Sequence, residues 1–225
     1  MIAHAQNEKD SLLIDFKFKW KNEPLEVKKI YHTKTDSLEI TTLKFYVSGI
    51  EIHYDDTTTY IKKNSYHLVD IEDVSSLKIA VCPKSSKAIS NVIFSIGVDS
   101  LASVSGAMSG DLDPTNGMYW AWQSGYINMK IEGKSNSCTT RKNAFQFHIG
   151  GYLPPNSAIR KVNLYDTRSA RSKDKKINNN HKITIQVDAS KLFDEILLKE
   201  TNSIMISGKE AMNLADLSVK IFTTE

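Results

Sequence analysis

From residue 14 to residue 21 apolar and polar side chains alternate without a break: Ile14, Phe16, Phe18 and Trp20 against Asp15, Lys17, Lys19 and Lys21. A period of two is that of a β-strand with one buried and one solvated face. Comparable short runs lie at Leu43–Val47, Ile50–Tyr54, Val92–Val98, Tyr126–Ile131, Ala144–Ile149, Ile159–Tyr165, Lys182–Val187 and Val219–Phe222. Clusters of Gly, Pro, Asn, Asp and Ser separate them, as turns between strands require. The pattern predicts an all-β protein, an antiparallel β-sandwich of Greek-key type. Helix is scarce. Lys191–Leu198 reads as a short helix, and Ser207-Gly208-Lys209-Glu210 reads as a capping box ahead of Ala211–Ala215. No repeat or linker divides the chain, so residues 6–225 are expected to form a single domain.

Composition narrows the class. With 40% hydrophobic and 24% charged residues, the 225-residue chain has the makeup of a folded globular protein. A net charge of +3 is too small for an electrostatic nucleic-acid binder. No apolar run approaches the roughly 20 residues of a membrane-spanning helix. Ala3-His4-Ala5 before Gln6 has the small-x-small pattern of a signal-peptidase site. Met1–Ala5 therefore reads as a signal-peptide remnant and predicts export to the periplasm or cell surface. Cys82 and Cys138 would form a disulfide or remain free thiols according to compartment and spacing. Asp166–Lys182, with Arg168, Arg171, Lys173, Lys175, Lys176 and Lys182, reads as a solvated hairpin tip.

The densest chemistry lies in residues 111–126, where Asp111, Asp113, Pro114, Asn116 and Gly117 run into Tyr119, Trp120, Trp122 and Tyr126. Aromatic side chains this close together bury a large area and require partners for their N–H and O–H groups. They are expected to wall a site or seal one end of the sandwich. The run Gly117-Met118-Tyr119-Trp120-Ala121-Trp122-Gln123-Ser124-Gly125-Tyr126 resembles the hallmark of the MbnP-like family. Glu132-Gly133 and Phe147-His148-Ile149-Gly150-Gly151 follow in the family's order. Lys44–Ser48, Tyr66–Asp70, Phe94–Val98, Val187-Asp188 and Ala215-Asp216 extend the resemblance over most of the chain.

The resemblance implies an all-β bacterial envelope protein, with copper held through histidines in some members. In some members a tryptophan is oxidised to kynurenine, in one case by a partner di-haem enzyme. His148 matches a family copper ligand. The stretch Asp99–Met108, where copper-binding members carry another histidine, has none here. A tight copper site needs two or three soft or nitrogen ligands. The remaining ligands would then come from His67, Met118 or Met108. Two other readings fit the same residues: a metal-free structural or adhesive sandwich, and a calcium-stabilised module using Asp111, Asp113 and Asn116. Catalysis finds no support, because Ser124 lies outside a nucleophile elbow and neither cysteine has an activating context. The expectation is a non-enzymatic binding protein.

Overall fold

The computed structural model describes residues 11–122, 125–165 and 182–224. Met1–Ala5 and residues 166–181 of the basic segment lie outside them. Strands β1 to β7 are Ser11–Trp20, Glu23–Pro24, Ile30–His32, Ser37–Tyr54, Thr59–Ile61, Tyr66–Asp70 and Lys78–Pro83. Strands β8 to β14 are Ile89–Ile96, Ile127–Ser135, Ala144–Gly150, Arg160–Tyr165, Lys182–Asp188, Ser203–Ile204 and Phe222–Thr224. Three short helices accompany them: α1 (Ser100–Val104), α2 (Ser190–Phe193) and α3 (Lys209–Ser218).

The strands form two sheets, and the expected all-β class holds. One sheet has five strands in the order β14-β12-β1-β2, with β7 also on β1. The other has nine, in the order β11-β8-β4-β9-β10-β13, with β3, β5 and β6 along the opposite edge of β4. The sheets are mixed rather than purely antiparallel, because β1 pairs with β12, and β10 with β13, in parallel.

Strand alternation drives the packing. Ile14, Phe16 and Phe18 of β1 face Phe45 and Phe94 of the nine-stranded sheet. Phe16, Phe45, Phe222 and Phe94 close a four-membered ring of edge-to-face contacts, with centroids 5.3 to 6.0 Å apart, two rings from each sheet. Such pairs contribute about 0.5–1.5 kcal/mol each beyond the area they bury.

Several elements differ from the pattern reading, each for a local reason. Leu43–Val47 and Ile50–Tyr54 are not two strands but one, the 18-residue β4. Gly49 takes a positive φ of +57° at a shift in register against β8, so the strand bulges and continues where a turn was expected. The helix expected at Lys191–Leu198 is the single turn α2. The capping box does not form: α3 begins after Gly208 with no side-chain cap. Val219–Ile221 is a 3₁₀ turn, and the strand starts only at Phe222.

Cys82 and Cys138 are both buried free thiols. Cys82 lies 3.7 Å from the Tyr54 hydroxyl, and the Cys138 thiol points at the Leu198 carbonyl. Among the described residues no helix is long and apolar enough to cross a membrane.

Gly133 of β9 is the tightest point of the nine-stranded sheet. A Cβ there would lie 2.0 Å from the Glu39 carbonyl oxygen and 2.4 Å from the Phe145 ring. Gly133→Ala is expected to destabilise the protein by about 1–3 kcal/mol or more, since backbone cannot yield as a side chain can. A denaturant midpoint unchanged from wild type would contradict this packing.

A candidate binding site on the outer face

Alternation along β4 sends Phe45 and Val47 into the sandwich and Lys44 and Tyr46 to the outer face of the nine-stranded sheet. Cross-strand register places His148, Lys130, Lys44 and Asp70 in one row across that face, on β10, β9, β4 and β6. The chain between β8 and β9 folds back over part of it. There Tyr46, Val98, Leu112, Met118, Trp120, Tyr126 and Ile127 form a second, smaller core.

Tyr126 organises this lid. Its ring meets Tyr46 and Tyr119 edge-on at 5.7 and 5.0 Å. Its hydroxyl accepts from the Met108 amide at 3.2 Å and reaches the Leu112 carbonyl at 3.0 Å. The Tyr46 hydroxyl donates to the Asp111 carbonyl at 2.9 Å, pinning the other end of the loop. Trp120 lies over Gly150, where a Cβ would come within 2.6 Å of the indole. The aromatic side chains cluster here, but their environments differ. Trp120 is buried at 5% exposure while Trp122, tilted against it at 5.6 Å, is 65% exposed. The Trp120 indole N–H is buried without a partner among the described residues. A cavity of about 180 Å³ opens beside it, lined by Trp120, Tyr126, Tyr152, Leu153, Asn156 and Ser207.

His148 leaves β10 on the same face, two residues before Gly150. It is buried, and its Nε2 lies 2.6 Å from Oε1 of Glu132. A carboxylate only accepts, so the Nε2–H donates. Lys130 Nζ is 3.6 Å from the same oxygen and donates to the Gly117 carbonyl at 3.3 Å. The His148 hydrogen bond, reinforced by the charges of Lys130 and His148, holds the Glu132 carboxyl below its ordinary range. Glu132 was not singled out as a partner in the sequence. The available signal was that Glu132 and His148 both occupy outward positions on alternating strands.

His67, the second candidate imidazole, does not join His148 on this face. His67 lies between Leu68 and Tyr66, whose register partners Tyr46 and Ser48 share the face of Lys44. His67 therefore leaves β6 toward the opposite face of the sheet from His148. Its Nδ1 is 3.9 Å from Asp111 Oδ2, and its Nε2 is buried without a partner among the described residues. Met118 is fully buried in the small core, whereas Met108 is 43% exposed.

Asp111, Asp113 and Asn116 are each engaged by hydrogen bonds. Asp113 caps the Thr115 amide and hydroxyl, Asp111 Oδ2 accepts from the Leu68 amide, and Asn116 Nδ2 donates to the Gly110 and Asp111 carbonyls. His32 and His53 bond to Ser37, Glu51 and Thr59. Among the described residues no three His, Cys, Asp or Glu side chains are grouped to hold a metal ion.

Two packed sheets with an aromatic, loop-built lid on one outer face define an all-β sandwich. The MbnP family model matches residues 9–206, and the chain belongs to that family. Among solved structures it is similar to MbnP from Methylosinus trichosporium, with a TM-score of 0.62 at 14% identity. That match covers 89% of this chain and 82% of the other. Comparison with curated proteins gives no match.

Two measurements check this geometry. Gly150→Ala is expected to displace the Trp120 indole, shifting tryptophan fluorescence and costing about 1–3 kcal/mol; an unaltered spectrum and midpoint would contradict the contact. His67 has its pKa lowered to about 4 from 6.5, by burial first and by the charge of Lys62 second, with Asp111 opposing. Between these values the unfolded chain binds the proton and the folded chain does not. Stability should thus fall as pH drops from 6.5 to 4, by on the order of 3 kcal/mol at most. His67→Phe should flatten the curve in that window, as read by urea unfolding at a series of pH values.

Proposed function

We propose that this chain is an exported, non-enzymatic binding protein of the MbnP family, working through the outer-face site beneath Trp120 and Trp122. Any copper it takes is held through His148. The observation that carries this reading is the His148–Glu132 pair at 2.6 Å, with a buried imidazole two residues along β10 from the Gly150 that Trp120 covers. A carboxylate behind an imidazole fixes the ring's orientation and tautomer, leaving Nδ1 as the nitrogen available to a ligand. The small-x-small sequence at Ala3-His4-Ala5 supports export.

The donors in place do not amount to a closed copper centre. Among the described residues, one imidazole bound to a carboxylate, with Met118 fully buried in packing, falls short of the two or three soft or nitrogen ligands such a centre needs. This donor set supports an open, exchangeable site and keeps the metal-free scaffold as the second reading. The calcium reading has less support, since the carboxylates of Asp111 and Asp113 are engaged by backbone amides.

Metal analysis after Cu(I) or Cu(II) loading and dialysis, on wild type and His148→Ala, tests the assignment. The expected result is weakly retained, sub-stoichiometric copper in the wild type and its loss in the variant. Equal retention in both would rule out His148 as the ligand. Tightly held stoichiometric copper would refute the open site. Thermal unfolding of His148→Ala is expected to drop by about 1–3 kcal/mol, because Glu132 is left without its donor.

A further inference from the structure

Around the edge of β6 from His148, a cleft of about 640 Å³ runs along β6 and β7, where the 3₁₀ turn Val74–Leu77 carries the chain from one sheet to the other. Lys44, Lys62, Lys78, His67, Asp70, Asp73 and Asp111 line it. Its three lysines and three aspartates balance in number, but their pairing is uneven. Each of the three carboxylates is engaged: Asp70 by Lys44 at 2.7 Å, Asp73 by the Ser75 amide and hydroxyl at 2.9 and 2.6 Å, and Asp111 by the Leu68 amide at 3.0 Å. Lys44 is matched within the cleft. Lys62 is not: its ammonium donates to the Ala80 carbonyl and meets no carboxylate among the described residues.

Lys62 is also partly buried, and that burial lowers its pKa, as expected of a cation taken from water without a counter-charge. Close by, the Nε2 of His67 is enclosed and has no hydrogen-bond partner among the described residues. The two nitrogens are near enough for the charge of Lys62 to disfavour protonation of His67. Among the described residues the cleft thus holds a cation without a paired carboxylate and an enclosed imidazole nitrogen without a hydrogen-bond partner, along a cavity with room for a small metabolite-sized molecule.

We infer that this cleft binds a small ligand through a phosphate or carboxylate group, with Lys62 supplying the charge and His67 forming the adjacent wall. A bound oxyanion would give the Lys62 ammonium its missing counter-ion through a charge-assisted hydrogen bond. The alternative is that Lys62 acts only as a tie between the segment after β5 and the Ala80 carbonyl of β7.

Nuclear magnetic resonance titration of the full chain at neutral pH and constant ionic strength separates the two. Inorganic phosphate and succinate are the probes, with the Lys62 side-chain and His67 ring resonances as readouts. The expected result is a saturable shift of both residues with at least one probe, and binding weakened about tenfold or more in Lys62→Met. A response to phosphate alone, to succinate alone, or to both identifies the oxyanion. Shifts that grow linearly with concentration, or that persist in Lys62→Met, overturn the inference. Thermal unfolding of Lys62→Met confirms that the variant is folded, and Lys62→Arg, which keeps the charge, should retain binding. If Lys62→Met loses stability while the wild type shows no saturable shift, the tie is its whole role. Copper loading of the outer-face site is independent of either result.

Discussion

The alternation of side chains along β4 is the constraint on which the rest of the molecule depends. One strand of 18 residues supplies backbone partners to β3, β5, β6, β8 and β9, so its two faces are the two faces of the larger sheet. Phe45 on the inner side joins Phe16, Phe94 and Phe222 and fixes how the sheets stack. Tyr46, one residue on, must point outward, where it holds Tyr126 and the Asp111 carbonyl and so positions the lid. A slip of one residue would exchange these roles and lose both cores. The bulge at Gly49 lets the strand run on while its register against β8 shifts.

The motifs that carry the family resemblance are contact partners in space. Trp120 lies on Gly150, Glu132 pairs with His148, Gly133 clears the Phe145 ring, and Gly125 faces Tyr152. Segments more than ten residues apart in the chain thus build one neighbourhood at the boundary of the lid and the sheet. The glycines are there for room: β9 and β10 admit a neighbouring ring or carbonyl only where no Cβ stands. The aromatic residues divide the work, with Tyr126 and Trp120 sealing the small core and Trp122 presented to solvent.

The polar chemistry falls into two regions at either end of the outer-face row that runs from His148 through Lys130 and Lys44 to Asp70. On the outer face, His148 and Glu132 form a satisfied pair in which the imidazole is oriented by the carboxylate. Around β6, the partly buried ammonium of Lys62 lacks a carboxylate partner and the Nε2 of His67 lacks a hydrogen-bond partner among the described residues. A satisfied buried pair adds order to a structure, whereas an unsatisfied one costs free energy and marks a place where a ligand would be stabilising. The two histidines that the sequence offered as joint metal ligands thus belong to different regions.

Much of this was written in the linear pattern. The period-two runs around Phe16, Phe147 and Ile185 specified strands, their buried faces and the all-β class, because alternation is a local property of the pleat. The run from Gly117 to Tyr126 announced a dense aromatic cluster and the family, and only the fold laid that cluster over the outer face. The pattern could also say that His148 leaves its strand opposite Phe147. Only the tertiary structure decided what His148 meets there, since Glu132 becomes its neighbour through the pairing of β9 with β10. Likewise, only the register of β6 on β4 turned His67 away from His148. The helix limits at α2 and α3 and the continuity of β4 through Gly49 were also settled by packing, because isolated helical turns and strand ends are too weak to specify themselves. Face and period are local quantities that a sequence encodes directly. Partners across strands depend on register, which the whole sheet sets at once.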